Sequence, residues 1–302
     1  MCSAGFGGGI AISWPYQPLA GSATPTRRYK EIVSDEDAAF RARGRRFSAG
    51  RMAENYLFRP PYPAEAYDRL LELMSGRPRI LLDAGCGTGK IALGLLDHVD
   101  RVDAVDPSEA MLAVTRSLAG ADSPKVRWIH STMEDASLDP PYGLIAAASS
   151  IHWMNLDRVI PRFGDALADG AMLAVLDGDA PVDAPWEREE IEFMIDFLAA
   201  REGRRPKWWK TVSERFAEPV LVHPGFEMVG YRITAPVGFS QSIEDYLRCQ
   251  HSRATWSEDV LGETASAEFD AAMTKLLAKY AHDGMLTFVV QTRMEWGRVR
   301  GT

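Results

Sequence analysis

Short apolar runs alternate with helical stretches between residues 79 and 176, and this rhythm constrains the fold more than any other feature. Because strands joined by helix-length connections pair in parallel, the alternation predicts a doubly wound α/β sheet. We expect strands over Arg79–Ala84, Arg101–Asp106, Val126–His130, Gly143–Ser149 and Met172–Leu176. Apolar spacing predicts the intervening helices over Lys90–Leu96, Ser108–Leu118 and Leu156–Leu167.

After Leu176 the rhythm changes to longer helices separated by two late apolar runs. We expect helices over Trp186–Ala200, Trp208–Phe216, Ile243–Gln250 and Ala267–Tyr280, and strands over Phe226–Val237 and Met285–Trp296. The two late strands predict an antiparallel finish to the sheet. The expected organisation is a flexible tail over residues 1–26, a helical lid over 27–75, a ligand-binding core over 76–178, and cap helices with terminal strands over 179–302.

Composition excludes several classes of function. A formal net charge of -8 argues against a protein that mainly grips nucleic-acid phosphates, so we expect no nucleic-acid partner. No apolar run is long enough for a membrane helix, and the N-terminus lacks the pattern of a secretion signal, which predicts a cytoplasmic protein without a membrane partner. Cys2, Cys86 and Cys249 are too widely spaced to predict a disulfide framework or a metal site.

The glycine-rich stretch LLDAGCGTGK, residues 81–90, follows the first predicted strand and has three interpretations. A phosphate-binding P-loop requires glycine at position 84 and Ser or Thr at position 91, where this chain has Ala84 and Ile91. A dinucleotide loop has a third glycine where the chain has Lys90, which weakens this interpretation but leaves it open. The remaining interpretation is an acid followed by alternating glycines. Because glycine has no side chain, we expect this turn to leave room for a ligand.

The acidic-x-G-x-G-x-G pattern resembles the first motif of the Rossmann-like (class I) S-adenosylmethionine-dependent methyltransferases. The resemblance is to the small-molecule type similar to trans-aconitate methyltransferases. It implies a seven-stranded Rossmann-like sheet, mostly parallel with an antiparallel last strand and helical cap insertions. It also implies S-adenosylmethionine as cofactor and S-adenosylhomocysteine as product. In this turn the implied cofactor-binding residues are Asp83, Gly85, Cys86, Gly87 and Gly89.

The segment VDAVDPSEAML is similar to the second motif of that family. Asp106 ends the second predicted strand, close to the offset of about 20 residues at which a strand-end acid binds a ribose hydroxyl in related sheets. The resemblance further implies that Pro107 sets the turn and that Met111 packs on the adenine.

The third cofactor segment, HSTMEDASL, departs from the family pattern. Where the family often has an acid facing the adenine amino group, this chain has Thr132 and Met133. We expect the Met133 backbone to contact the ring edge, with Glu134 or Asp135 as the substitute acid. Upstream, FSAGRMAENYLFRPPYP is similar to the lead-in of these enzymes, which implies that Tyr56 and Arg59 close over the cofactor, the guanidinium meeting its carboxylate.

The fourth predicted strand ends in AASSIHWMN, and ligands of open α/β sheets bind beyond the carboxyl ends of the strands. We expect Ser149 at the cofactor, His152 as the catalytic base for a hydroxyl or acidic-carbon acceptor, and Trp153 at the acceptor. The aromatic content of the late insertions suggests that they line a pocket for a small organic acceptor. The residues expected there are Trp208, Arg253 and Trp256.

The sequence therefore predicts methyl transfer to a small molecule, most plausibly at oxygen. Two alternatives remain open. The protein could bind S-adenosylmethionine without transferring methyl, as another enzyme or a sensor, or it could be an NAD-dependent oxidoreductase. Neither the acceptor nor the oligomeric state follows from the sequence.

Overall fold

The computed structural model describes residues 50–178, 180–203 and 210–301. Its strands are β1 (Ile80–Ala84), β2 (Arg101–Asp106), β3 (Val126–His130), β4 (Tyr142–Ala148), β5 (Leu167–Asp177), β6 (Pro181–Val182), β7 (Phe226–Ile233), β8 (Val237–Ser242), β9 (Met285–Val290) and β10 (Arg293–Val299). The predicted tail, most of the predicted lid, and Trp208 lie outside the described residues.

A seven-stranded sheet in the order β3-β2-β1-β4-β5-β10-β7 forms the centre of the molecule. Strands β1 to β5 pair in parallel, whereas β10 runs antiparallel to both of its neighbours. The predicted fold class, a mostly parallel doubly wound sheet with an antiparallel last strand, is confirmed.

Helices cover the faces of this sheet and form the cap. They are α1 (Gly50–Asn55), α2 (Ala64–Leu73), α3 (Lys90–Leu95), α4 (Glu109–Arg116), α5 (Leu156–Ala166), α6 (Glu187–Glu202), α7 (Val212–Phe216), α8 (Ile243–His251), α9 (Glu258–Leu261) and α10 (Glu263–Leu277). A short 3-10 turn over Tyr56–Phe58 follows α1. No helix among the described residues is long and apolar enough to cross a membrane.

The central strands are buried because helices cover both faces, and this explains their near-continuous apolar sequences. In β1 and β4 the side chains divide between two core clusters: Leu81 and Leu144 pack on one face, and Leu82 and Ile145 on the other. The strands are thereby fixed in register, with their carboxyl ends at a common edge.

The prediction of two late strands is wrong, because each run divides between two sheets. The first run becomes β7 and β8, the second becomes β9 and β10, and a small antiparallel sheet forms in the order β6-β9-β8. At the break the Thr234 backbone N–H donates to the Thr292 carbonyl at 3.0 Å. The Thr292 N–H donates to Thr234 Oγ1 at 2.9 Å. These bonds satisfy backbone groups that the sheet ladder no longer pairs.

The cap has a hydrophobic core of its own, built from α6, α8, α9, α10 and the small sheet. Trp256 is only 2% exposed there, and its ring stacks on Phe269 with centroids 5.0 Å apart. Trp186 contacts Tyr246 and Phe288 edge-on in the same cluster. The aromatic residues of the late insertions therefore hold the cap together.

Candidate functional site

A cavity of about 530 Å³ lies at the carboxyl ends of β1, β2 and β4. This is the edge where open α/β sheets bind ligands, and the volume is within the range of about 300–1,000 Å³ common for small-molecule sites. The turn after β1, the β2 terminus, the segment after β3 and the β4 terminus supply its walls. Tyr56, which precedes the first strand in the chain, also lines the cavity.

Asp106, at the end of β2, lines the cavity with a carboxylate fixed by two backbone donors. Gly87 N–H donates to its Oδ2 and Ser108 N–H to its Oδ1, both at 2.8 Å. Burial raises the pKa of this carboxyl, while the two backbone hydrogen bonds oppose the rise. The arrangement holds an oriented hydrogen-bond acceptor against the glycine turn, as the sequence predicted for a ribose-binding acid.

The three glycines of the turn have different roles. All three have positive φ, at +72° for Gly85, +53° for Gly87 and +76° for Gly89. A Cβ on Gly85 would lie 2.5 Å from Ser150 Cβ, and one on Gly89 would lie 2.9 Å from the Trp128 ring. Only at Gly87 is there space, with the Tyr56 ring 3.8 Å away. The turn leaves space beside the cavity at Gly87, as expected, whereas the missing side chains of Gly85 and Gly89 make room for the protein itself.

Asp83 and Cys86 lie behind the turn and do not line the cavity. The buried Asp83 side chain accepts a hydrogen bond from the Ala92 N–H at 3.0 Å, which fixes the start of α3 to β1. Burial raises its pKa to about 7. Burial also raises the pKa of the Cys86 thiol, which keeps it in the neutral form. Their contribution to the site is to shape the turn.

Two methionines flank the next part of the cavity, as the sequence led us to expect. Met111 on α4 and Met133 after β3 are buried and line it, together with Pro107, Thr132 and Glu134. Glu134 Oε1 accepts a hydrogen bond from the Asn155 N–H at 2.7 Å and so joins this segment to the start of α5. Thr132 Oγ1 donates to Asp135 Oδ2 at 3.1 Å. This part of the cavity therefore combines two apolar methionine side chains with the polar side chains of Thr132 and Glu134.

The β4 terminus places Ser149, Ser150 and Trp153 at the cavity. Ser149 has a positive φ of +51°, and its Oγ lies 3.3 Å from the Tyr62 hydroxyl. Ser150 Oγ donates to the Ala84 carbonyl at 2.6 Å, which ties the turns after β1 and β4 together. His152 is exposed and does not line the cavity, although its ring contacts Trp153 with centroids 5.0 Å apart.

Arg59 differs from the prediction that its guanidinium meets the cofactor. Its Nε donates to Ser252 Oγ at 2.7 Å and its Nη2 to the Ser252 carbonyl at 3.0 Å. The guanidinium also lies 4.0 Å from the centroid of the Tyr56 ring. Arg59 therefore links the cap to Tyr56, and Tyr56 is the member of the pair that lines the cavity.

The predicted acceptor residues of the late insertions do not converge on this cavity. Trp256 is core and Arg253 is absent from the cavity wall, while Trp208 lies outside the described residues. Sequence reasoning missed Asn155 and Arg158 at the rim. Their position follows from the turn into α5, which no local motif marks.

The polar lining fits a cationic nucleoside better than a dinucleotide. Among the described lining residues the charged groups are the carboxylates of Asp106, Glu134 and Asp135 and the guanidinium of Arg158, which is bound to Asp135 at 2.9 Å. A pyrophosphate would face this acidic wall, whereas a sulfonium nucleoside carries positive charge and no phosphate. No cluster of three potential metal ligands occurs in the described parts of the chain.

The chain matches known methyltransferases over its sheet. The family described as "Methyltransferase domain" matches residues 81–170. A probable S-adenosylmethionine-dependent methyltransferase of Saccharomyces cerevisiae is 32% identical over 117 residues, which cover 37% of this chain and 40% of that protein. An uncharacterized methyltransferase of Mycobacterium bovis is 34% identical over 159 residues, 52% of this chain and 60% of that protein. The chain therefore spans about half the length of these relatives.

Two further likenesses extend beyond that region. A tRNA 5-carboxymethoxyuridine methyltransferase of Escherichia coli is 25% identical over 222 residues, 71% of this chain and 82% of that protein. A solved structure from Anaeromyxobacter dehalogenans, named for a type II methyltransferase, covers 81% of this chain and 99% of its own, with 24% identity and a TM-score of 0.58. That structure bears on the fold alone. Residues 81–170 accordingly match a methyltransferase domain, and the seven-stranded sheet that contains them has a Rossmann-like fold similar to that of this solved structure.

Proposed function

We propose that this protein transfers the methyl group of S-adenosylmethionine to a small organic molecule, at an oxygen atom. The observation that carries the proposal is the Asp106 carboxylate, which Gly87 and Ser108 orient at the wall of the 530 Å³ cavity. A ribose offers two neighbouring hydroxyl donors to such a carboxylate. The match of residues 81–170 to a methyltransferase domain supports the same assignment.

The residues that would hold the cofactor can be grouped by the part of the cofactor that each would contact. Asp106 would accept hydrogen bonds from the ribose, and Met111 and Met133 would pack against the adenine. Glu134 is the nearest substitute for the adenine-binding acid that the family pattern has, and Tyr56 would cover the methionyl arm beside Gly87. When bound there, S-adenosylmethionine supplies a methyl group on a positively charged sulfur, which is an excellent leaving group.

The protein's own contribution is binding, orientation and exclusion of water. Holding two reactants in line accounts for a large part of the catalysis of a displacement, so a base is needed only where the acceptor must lose a proton. Among the described cavity-lining residues there is no histidine. His152, one position from Trp153, stays our candidate base for a hydroxyl acceptor, provided that its exposed ring turns toward the rim. A carboxylate acceptor would need no base.

Binding of S-adenosylhomocysteine by isothermal titration calorimetry tests the cofactor assignment. Asp106→Ala should weaken binding by about 10- to 100-fold, because hydrogen bonds to a charged group contribute about 1.5–3 kcal/mol. Asp122→Ala, which removes an exposed acid outside the cavity, should leave affinity unchanged. Absence of heat with the wild-type protein at tens of micromolar ligand would refute the proposal, and thermal protection by NADH instead would favour an oxidoreductase.

Labelled methyl transfer into fractionated cell extract tests the acceptor class. The net charge of -8 favours a small molecule, whereas the likeness to a tRNA methyltransferase favours RNA. We expect label in the low-molecular-weight fraction. Label recovered in the tRNA fraction would overturn the small-molecule proposal, and cofactor binding without label in any fraction would favour a sensor.

A further inference from the structure

A second cavity, of about 580 Å³, is lined by residues that directly follow Tyr56 in the chain. Leu57, Phe58 and Pro61 form one wall, and Phe239 of β8 and Met285 of β9 form another. Leu57 and Met285 are 45% and 40% exposed, so part of the apolar lining faces solvent. An apolar cleft that is open in this way is suited to the apolar body of a small molecule.

The polar groups of this cavity differ in whether the protein already satisfies them. Arg59 is bound to Ser252, and Lys90 Nζ donates to the carbonyls of Arg59 and Pro60, both at 2.9 Å. The Asp245 carboxylate, in contrast, has no hydrogen bond or ion pair with any described residue, although the residue is partly buried. Within the described part of the chain, therefore, the two cations have partners and the Asp245 carboxylate does not.

Gln241 provides a second acceptor that no described residue satisfies. The residue is 6% exposed and lines the same cavity. Its Nε2 donates to the Phe58 carbonyl at 3.3 Å, but its buried Oε1 has no hydrogen-bond partner among the described residues. Buried acceptors of proteins are nearly always paired, so this one indicates a donor that the described residues do not supply.

We propose that this second cavity is a binding site for a small molecule with a protonated amine and an apolar body. The ammonium group would pair with Asp245 and supply a donor near Gln241, while its body would pack between Phe58, Phe239 and Met285. The proposal concerns a site separate from the cofactor cavity, since the lining residues of the two cavities do not overlap.

Calorimetry with 2-phenylethylamine and the full chain at pH 7 tests the proposal, first without cofactor. Asp245→Asn should raise the dissociation constant at least about tenfold, which corresponds to about 1.4 kcal/mol. Glu244→Gln, an equal change of charge on the neighbouring exposed residue of α8, should leave it unchanged. Phenylacetate and 2-phenylethanol, which share the ring but not the cation, should bind at least about ten times more weakly.

Three results would overturn the inference: no amine binding below about 10 mM, equal binding to wild type and Asp245→Asn, or equal binding of phenylacetate. A repeat at increasing concentrations of S-adenosylhomocysteine locates the amine. If the apparent dissociation constant of the amine rises in proportion to nucleoside concentration without levelling off, the two compete for the acidic cofactor cavity and the second site is refuted. Amine binding that is unchanged, or changed by a factor that saturates, supports a separate site. Failure of the nucleoside itself to bind would instead count against the proposed function, since the amine titration does not need it.

Discussion

The turn after β1 offers a matched pair of substitutions, Gly87→Ala and Gly89→Ala, that separates ligand binding from packing. Both glycines have a left-handed backbone, with φ of +53° and +76°. A side chain in this conformation costs roughly 1–2 kcal/mol in either position. The two positions therefore share the backbone cost, and they differ in what the new methyl group meets.

At Gly89 the added methyl meets the protein. It would lie 2.9 Å from the Trp128 ring and 3.0 Å from Thr115 Cγ2, closer than carbon atoms normally approach. Overpacking of this kind typically costs about 1–3 kcal/mol more. At Gly87 the nearest atom is on the Tyr56 ring at 3.8 Å, an ordinary contact. We expect a loss of unfolding free energy of about 1–2 kcal/mol for Gly87→Ala and about 2–5 kcal/mol for Gly89→Ala.

For ligand binding we expect the opposite ranking, with the larger effect from Gly87→Ala, because Gly87 lines the cavity and Gly89 does not. Gly87→Ala should weaken S-adenosylhomocysteine binding at least about tenfold, and Gly89→Ala should change it little under conditions where the variant is folded. Urea unfolding followed by tryptophan fluorescence measures the first quantity and calorimetry the second. Equal losses of stability, or a larger loss of affinity for Gly89→Ala, would refute this division of roles.

Three further variants test the groups around the site. Asp83 has a pKa raised to about 7, so its native form keeps a proton that the unfolded chain releases near pH 4, and stability should fall as pH rises between these values. Asp83→Asn should remove this fall, so that it gains about 2.7 kcal/mol relative to wild type between pH 5 and pH 8 in urea titrations, since about two pH units at 1.36 kcal/mol each lie below the folded pKa. A difference that does not change with pH would contradict the buried-acid argument. In Arg59→Lys the single ammonium group cannot reproduce the two hydrogen bonds from the guanidinium to Ser252. We therefore expect faster backbone hydrogen exchange over residues 56–58. Unchanged exchange would show that the contact between Arg59 and Ser252 does not hold Tyr56 in place. Trp256→Ala should cost about 3–5 kcal/mol of stability without weakening S-adenosylhomocysteine binding by the folded protein, and a selective loss of affinity would place Trp256 in the site after all.

Much of the parallel sheet could be predicted from the sequence, because each of its strands is a short apolar run that helices bury on both faces. Strands β2 and β3 begin and end at the predicted residues, and β1 differs by one residue at its start. Asp106 was also placed correctly at the cavity wall. Its position depends only on where β2 ends, which is local information.

The residues that were misplaced depend on contacts between distant parts of the chain. Local sequence shows that Gly85 lacks a side chain, but it does not show that Ser150, 2.5 Å from the position of its Cβ, fills that space. Likewise, the local sequence around Arg59 gives no sign that its guanidinium donates a hydrogen bond to Ser252, which is 193 positions away in the chain. The division of the late strands depends on Thr234 meeting Thr292, which no periodicity within either run encodes.

These long-range contacts connect the cap to Tyr56, which lines the cofactor cavity. Tyr56 lies against Gly87 on one side and under the Arg59 guanidinium on the other, while Arg59 is held by Ser252 of the cap. The next residues, Leu57 and Phe58, line the second cavity. A ligand there and a nucleoside in the cofactor cavity would therefore contact neighbouring residues of the same short segment. Any preference of one ligand for a particular position of this segment must be matched by an equal effect of the other, because coupling between two binding sites is reciprocal.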